Sequence, residues 1–564
     1  MKIAILQCNS VAGDIDGNAA RILAAAHVAA EQGASLCVTP ELALSGVMPR
    51  NLLNRVSFVD ACQAKLTEMA KSMAQGPALL VGSPVPNALG LCKTAANAAV
   101  LLQGGLANVV SRKVFHAHGE AGDDARYFER GVSCGLSTLE GWRFGVVLCE
   151  ETWGNNSFWK ISHVNAYNPL MELVARGVDA IIHLGASFFD MRDEGNRKNM
   201  LSHVAARHHV HLFSTNVVGG NDDAVYHGQS LVFSPTGALL ACGKTFAEDI
   251  VMLDTTSGVP LAPLPFLPVS AEQACWQALV LGTRDYVRKS GFTQVVLGLS
   301  GGMDSALVAA VAVEALGPEN VLGVLLPSPH TSQESTNYAL QLAKNLGIST
   351  HTIPIAPLMR SFEEVLCPVL GIATENCLEA PGLTFENIQA RIRGNILMAL
   401  ANYQRRIVLN TGNKSEAAMG YCTLYGDAVG AIAVLGDLSK TDVYRLARWY
   451  NSDRPSASIP QEIIDRPPTA ELRPGQLDSD SMPPYDILDP MLDKLMSGLS
   501  FHEGEEDAPD AEGEGLSLEG DVYAKLLRAE FKRRQAPMPL RMNRLCFGTG
   551  WRVPVVLRYS VDKV

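Results

Sequence analysis

The sequence predicts an α/β protein built as two layered domains. Three observations lead there. Short apolar runs of strand length alternate with helical stretches through both halves of the chain. A proline-rich, charge-poor stretch separates the halves. The 564 residues also exceed what one core holds, since domains run to ~150–250 residues. With 47% hydrophobic and 18% charged residues, both halves have the composition of compact cores.

In chain order, residues 1–256 form the first domain. Its strand-like runs include 34–38, 78–82, 145–148 and 180–184. Residues 257–272 hold Pro260, Pro263, Pro265 and Pro268 and read as a linker. The second domain covers 273–564, with strands expected at 295–299, 321–326 and 407–410. Within it, 451–490 is rich in Pro, Asp and Ser and too long for an ordinary connection, so it reads as an active-site lid or as plain disorder. Residues 503–521 carry nine acidic side chains and no Lys or Arg, the composition of a solvated disordered insert. The run Gly237–Thr245 is spaced wrongly for a Walker loop and reads as a hairpin.

The net charge of −12 argues against non-specific nucleic-acid binding. No apolar run approaches the ~18–20 residues of a membrane helix, and Met1–Gln7 reads as a first strand, not a leader, so a cytoplasmic protein without a membrane partner is expected. The 12 cysteines form no Cys-x-x-Cys pair, which excludes structural zinc and a disulfide framework as expectations. His208, His209 and His211 read as a helix end and a strand start, because no carboxylate or thiol stands at ligand spacing.

The most informative segment is Gly298-Leu299-Ser300-Gly301-Gly302-Met303-Asp304-Ser305. It lies between a strand-like run and the apolar helical run that begins at Ala306. A glycine-rich turn there leaves backbone N–H groups free at the positive end of a helix dipole, a ready phosphate site. Ser300 and Ser305 add hydroxyls, and Asp304 adds a carboxylate suited to magnesium. The loop resembles the SGGxDS loop of the ATP pyrophosphatases, which cleave ATP between its α and β phosphates.

In the first domain, Glu41, Lys113 and Cys149 each follow a strand-like run, where α/β proteins gather catalytic groups. Together they make a workable amidase set: a thiolate attacks a carboxamide, a carboxylate moves protons, and an ammonium stabilises the oxyanion and lowers the thiol pKa. The words Pro40-Glu41-Leu42-Ala43-Leu44-Ser45-Gly46, Arg112-Lys113 and Leu148-Cys149-Glu150-Glu151-Thr152-Trp153 resemble, in order, the three signatures of the nitrilase (carbon–nitrogen hydrolase) superfamily. The resemblance implies Cys149 as nucleophile, Glu41 as general base, Lys113 as oxyanion partner and Glu120 as a second glutamate. Gly185–Phe189 and Asn216–Asp222 are similar to the glutaminase branch, which implies glutamine contacts at Ser187, Arg192 and His118. The branch's Ser-Pro is Ser187-Phe188 here, and His118 stands where a tyrosine is common.

Five words follow the phosphate loop: Glu386–Asn395, Asn410–Glu416, Tyr425-Gly426-Asp427, Leu438–Thr441 and Glu530–Pro537. With the loop, the words resemble the NAD synthetase family. The residue types fit the chemistry this implies: ATP activation of a carboxylate needs metal ligands, which Asp304 and Glu416 could supply, and charge partners for pyrophosphate, offered by Lys414 and Lys440. Arg391, Arg393 and Lys532 offer cations to a dinucleotide, against the alternative that Lys532-Arg533-Arg534 is a solvated helix face. That resemblance implies ATP contacts at 298–305 and Thr411, deamido-NAD contacts at Asn387, Glu416 and Lys532, Asp427 near the nicotinate end, and Mg2+ bound with ATP. It also implies a homo-oligomer.

The two resemblances imply a nitrilase-like α-β-β-α sandwich joined to a doubly wound parallel-sheet domain of the adenine nucleotide α-hydrolase type. They also imply one reaction: ammonia from glutamine amidates deamido-NAD to NAD, with ATP giving AMP and pyrophosphate, and with a protected passage for the ammonia. Asparagine and GMP synthetases are disfavoured, since Lys2 follows Met1 where the former needs cysteine and no Gly-x-Cys-x-Gly elbow is present. A nucleotide-binding protein without activity is the remaining alternative.

Overall fold

The computed structural model describes residues 1–87, 93–116, 123–152, 168–192, 195–255, 270–372, 382–454, 458–498 and 517–557. His118, Glu120 and nearly all of the 257–272 linker lie outside them. The chain forms two compact units, Met1–Ala271 and Glu272–Val564.

The first unit is an α-β-β-α sandwich. One six-stranded sheet runs in the order Asp249–Asp254, Lys2–Gln7, Leu36–Val38, Ala78–Pro86, Ala95–Gln103, Leu106–Arg112. A second has the order Leu239–Cys242, Leu231–Phe233, His211–Ser214, Ala180–Leu184, Trp142–Leu148, Gly135–Leu139. Side-chain alternation explains the layers. Ile3 and Ile5 point between the sheets, with Val38, Leu80, Val146, Ile182 and Phe213. Ala4 and Leu6 point the other way, under the helices Ile15–Glu31 and Val56–Ser72. Helices Pro169–Ala175 and Asn196–His208 cover the outer face of the second sheet. The run at 237–245 is the expected hairpin, pairing Leu231–Phe233 antiparallel with Leu239–Cys242. His208 ends a helix, His209 caps it at φ +53° and His211 starts a strand.

The second unit holds a six-stranded sheet in the order Ser349–Thr352, Val321–Leu325, Val295–Gly298, Ile407–Asn410, Ile432–Ala433, Met538–Pro539. Every neighbouring pair is parallel. Helices Ala356–Leu370 and Leu383–Gln404 pack on one face through Met359, Ile388, Ile392 and Leu397. The chain first winds one way from Val295–Gly298 and then the other way through Ile407–Asn410. That reversal opens a crevice at the carboxyl ends of these two strands, where open α/β sheets bind ligands.

Two compositional expectations need correction. Residues 458–490 are built with defined contacts, not plain disorder. Arg466 pairs with Glu471 at 2.6 Å, Glu471 accepts from the Ser332 and Ser335 hydroxyls at 2.9 and 2.8 Å, and Gln389 Nε2 donates to Leu472 O at 2.9 Å. Of the acidic insert, 517–521 belong to an ordered helix start. Ser517 Oγ accepts from Gly520 N–H at 3.1 Å, and Glu519 and Asp521 sit in the first turn, where negative charge suits the helix dipole. The insert's other residues lie outside the described set. Nine described cysteines are free thiols, and Cys367 is disulfide-bonded.

Candidate active sites

The first site sits at strand ends. Glu41 follows Leu36–Val38 and Lys113 follows Leu106–Arg112. Ala95–Gln103 runs antiparallel to both of its neighbours, so the strand leading to Lys113 points the same way as Ala78–Pro86 and Leu36–Val38. Cys149 closes Trp142–Leu148 and opens one 3-10 turn, with its backbone at φ +40°. This left-handed conformation is strained for a residue with a Cβ.

Glu41, Lys113 and Cys149 are all buried, at 4%, 1% and 4% exposure. Lys113 Nζ meets Glu41 Oε1 at 2.9 Å, Asp124 Oδ2 at 2.6 Å and Glu150 Oε2 at 2.5 Å. Asn97 Nδ2 also donates to Glu41 Oε1, at 2.8 Å. Glu151 ties the Cys149 turn to the segment after Lys113. Its two oxygens accept from Leu148 N–H at 2.7 Å and from Val114 N–H at 2.6 Å. Asn97, Asp124, Glu150 and Glu151 carried no assigned role in the sequence reading. Only Glu150 and Glu151 had a signal, their adjacency to Cys149.

Burial raises the Glu41 carboxyl to about 7; Lys113 pulls it down, and Glu150 and Asp124 push it further up. Burial works against the Lys113 charge, but Asp124, Glu150 and Glu41 outweigh it and hold the ammonium firmly protonated. For Cys149, burial and then the charges of Glu150 and Glu41 raise the thiol well above its ordinary value, against the opposing pull of Lys113 and of a hydrogen bond from Ala186 N–H. Lys113 thus lowers the thiol pKa as expected, but burial and the two carboxylates outweigh it.

Asn216 Oδ1 holds the Ser187 N–H at 2.8 Å, so the glutaminase-like words at 185–189 and 216–222 meet. Arg192 stands five positions further on, its N–H bonded to Asp190 Oδ1 at 3.0 Å.

The second site lies at the crevice of the parallel sheet. Gly298–Ser305 joins Val295–Gly298 to the helix Met303–Leu316. Gly301 has φ +83°, and a Cβ there would stand 2.2 Å from Ser335 O, so only glycine closes this turn. Ser300 Oγ accepts from Gly302 N–H at 3.1 Å and lies 3.1 Å from Ser305 Oγ. Thr411 follows the adjacent strand Ile407–Asn410.

Across the crevice, Lys440 Nζ binds Asp304 Oδ2 at 2.5 Å and Glu416 Oε1 at 3.2 Å, and Asn413 Nδ2 donates to Asp304 Oδ1 at 3.1 Å. Burial raises Glu416 to about 7; Lys440 opposes this and Asp304 and Asp478 add to it. Asp478 comes from the 451–490 stretch and accepts from Tyr485 Oη at 2.9 Å. The Lys440 ammonium thus pairs with two carboxylates, and the charge of a third, Asp478, acts on it through space. The excess negative charge suits a divalent cation, and among the described residues no group of three or more His, Cys, Asp or Glu could hold a metal ion by itself. Two carboxylates fit an ion that brings phosphate and water as its other ligands.

Lys414 does not join this cluster. It is locked on Asp437 at 2.8 Å, and Asp437 Oδ2 accepts from the N–H groups of Met542 and Asn543 at 2.8 and 2.6 Å. In this structure the pairing directs the Lys414 charge at Asp437.

Asn387 and Lys532 converge on the turn at 420–427. Asn387 Oδ1 accepts from Thr423 Oγ1 at 2.6 Å, and Lys532 Nζ donates to Gly420 O and Cys422 O at 2.7 and 2.8 Å. Asp427 accepts from Thr423 N–H and Arg391 Nε donates to Leu424 O, both on the same turn. Arg393 instead reaches Leu326 O at 3.0 Å, and burial lowers its pKa to about 10. Lys532 and Arg533 are no solvated face: Arg533 donates to Ala417 O and Ala418 O at 3.2 and 3.3 Å and lies over Phe547, 4.6 Å from its ring centre. Both cations cap the carbonyl end of the helix Lys414–Met419.

Each half of the chain matches a known family. A carbon-nitrogen hydrolase family model matches residues 2–259, and an NAD synthase model matches residues 275–536. The glutamine-dependent NAD(+) synthetase of Synechocystis sp. is 41% identical over 98% of both chains. That of Thermotoga maritima is 38% identical over 99% of both. The solved glutamine-dependent NAD+ synthetase of Acinetobacter baumannii, in complex with ADP, is 31% identical, covers 98% of each chain and has a TM-score of 0.75.

Proposed function

The chain belongs to the glutamine-dependent NAD(+) synthetases, and we infer that its two units divide one amidation between them. The first hydrolyses glutamine to glutamate and ammonia. The second uses ATP and that ammonia to convert deamido-NAD to NAD, releasing AMP and pyrophosphate. The carrying observation is the buried Glu41–Lys113 pair beside a nucleophile on a left-handed turn.

In this reading Glu41 takes the Cys149 proton as the sulfur attacks the glutamine carboxamide carbon. Burial and nearby carboxylates bring Glu41 to about 7, close to the operating pH of an effective general base. The oxyanion meets the Lys113 ammonium. Glu41 returns its proton to the departing nitrogen, and ammonia leaves a thioester. Water gives Glu41 a proton, attacks the thioester and frees glutamate. Ser187, Arg192 and His118 would hold the glutamine.

At the second site, Gly298–Ser305 and Thr411 would seat the ATP phosphates, and Asn387, Glu416 and Lys532 the deamido-NAD. The nicotinate carboxylate attacks the α-phosphorus and pyrophosphate leaves. Ammonia then attacks the acyl carbon and AMP departs. Lys440 supplies positive charge beside the phosphates. Magnesium bound with ATP, held by Asp304 and Glu416, would neutralise polyphosphate charge.

Self-association belongs to the same reading. Helix Ala356–Leu370 leaves Leu358, Phe362, Val365 and Val369 exposed, the last two at 67% and 79%, with the spacing of a helix–helix seam. Among the described residues no helix is long and apolar enough to cross a membrane.

Incubation with glutamine, ATP, Mg2+ and deamido-NAD should yield NAD, AMP and glutamate. Formation of ADP in place of AMP, or no NAD, would overturn this reading. Cys149→Ala should lose glutamine-dependent synthesis and keep the ammonia-dependent route.

A further inference from the structure

A chain of buried polar groups runs from Arg197 to the backbone of the nucleophile. His183 lies on Ala180–Leu184, directly beside Val147 in the parallel register, and is 2% exposed. Its Nε2 stands 3.0 Å from Cys149 O and its Nδ1 stands 2.8 Å from Ser214 Oγ. Arg197 NH2 reaches Ser214 Oγ at 3.1 Å, and its NH1 donates to Gln229 O at 2.9 Å.

Donor chemistry fixes every proton in this chain. A guanidinium donates only, so Ser214 Oγ accepts from Arg197 and its own hydrogen is left for His183 Nδ1. Nδ1 is then the acceptor and Nε2 carries the N–H, which matches the Cys149 carbonyl, an acceptor only. Burial, with the Arg197 charge, lowers His183 to about 3 and keeps the ring neutral. Gly185 lets the ring sit there: a Cβ on it would lie 2.6 Å from Thr215 O and 3.1 Å from His183 Cε1.

We propose that His183, oriented by Ser214 and Arg197, is a positioning residue that clamps the Cys149 carbonyl and so holds the nucleophile in its left-handed turn. Without the clamp the strained φ relaxes and the sulfur leaves its attack position. Misplacement by about 1 Å costs on the order of 100-fold in rate.

This inference rests on Cys149 being the glutaminase nucleophile. The test compares His183→Leu, His183→Gln and Ser214→Ala with wild type and Cys149→Ala in glutamine-dependent and ammonia-dependent NAD synthesis. His183→Leu should lower the glutamine-dependent kcat about 100-fold, with the KM for glutamine changed less than about threefold and ammonia-dependent synthesis kept. His183→Gln, whose amide N–H can reach the same carbonyl, should recover at least tenfold of that loss. Ser214→Ala, which frees the ring tautomer with little change in volume, should lower kcat about tenfold. A folded His183→Leu with kcat within twofold of wild type overturns the proposal, as does an equal loss in His183→Gln. If His183→Leu does not fold, an unchanged kcat in Ser214→Ala overturns it. If Cys149→Ala keeps glutamine-dependent synthesis, the assignment of the site itself fails instead.

Discussion

The Lys113 ammonium donates to Glu41 Oε1 at 2.9 Å, and both side chains are almost fully buried. Two more carboxylates, Asp124 and Glu150, meet the same nitrogen. Such a cluster keeps the lysine charged and leaves one carboxyl able to exchange a proton near neutrality.

The first prediction is a pH dependence. Glu41 acts as a base only when ionised, and burial raises it to about 7. The kcat/KM for glutamate release should therefore fall as pH drops through about 7. Glu41→Gln should lose roughly 100- to 10,000-fold and with it that acid limb. Linkage adds a sign. The folded pKa exceeds the unfolded one, so this carboxyl stabilises the fold fully only below the unfolded pKa. That contribution is lost as pH rises through about 7. Melting curves of Glu41→Gln should thus improve relative to wild type between pH 5 and 8.

Lys113→Met removes the cation from three carboxylates at once. Leaving buried charge unpaired costs about 3–5 kcal/mol. Urea unfolding of the variant should show a loss of that order, with glutamate release abolished.

Lys414 and Lys440 should separate cleanly. Lys414→Met strands buried Asp437 and should destabilise by about 3–5 kcal/mol, with the KM for ATP within about threefold of wild type. Lys440→Met leaves Asp304 and Glu416 without their shared ammonium and should lower kcat by both the glutamine and the ammonia routes. Unfolding curves and the two assays check this. A large rise in the KM for ATP on Lys414→Met would return that lysine to the phosphate site.

Val365→Glu combined with Val369→Glu places charge on the exposed seam of Ala356–Leu370. Light scattering should then show a smaller assembly than wild type, with thermal stability of the separated chain little changed.

Much of the fold was legible because its signals are local. The strands at 36–38, 180–184 and 295–298 are continuous apolar runs, and the turn at 298–305 is bounded by glycine and opens a helix. Between the two readings of 451–490, lid or disorder, composition could not choose, because it does not show that Glu471 and Arg466 satisfy each other and the serines of a distant helix. Arg533 was ambiguous for a similar reason: a basic run cannot reveal that its partners are carbonyls over a hundred positions earlier.

By itself the sequence determined the two kinds of domain, the phosphate turn and the positions of Glu41, Lys113 and Cys149. These rest on periodicity and short contiguous words, which a chain carries without folding. Only the tertiary structure decided how charge is shared among them. It placed Asp124 and Glu150 on Lys113, brought Asp478 to Lys440, assigned Lys414 to Asp437 and set His183 against the Cys149 carbonyl. Burial and through-space charge set pKa values and hydrogen-bond partners, and neither depends on distance along the chain. For that reason burial and the carboxylates Glu150 and Glu41 outweigh the lowering of the Cys149 thiol pKa by Lys113.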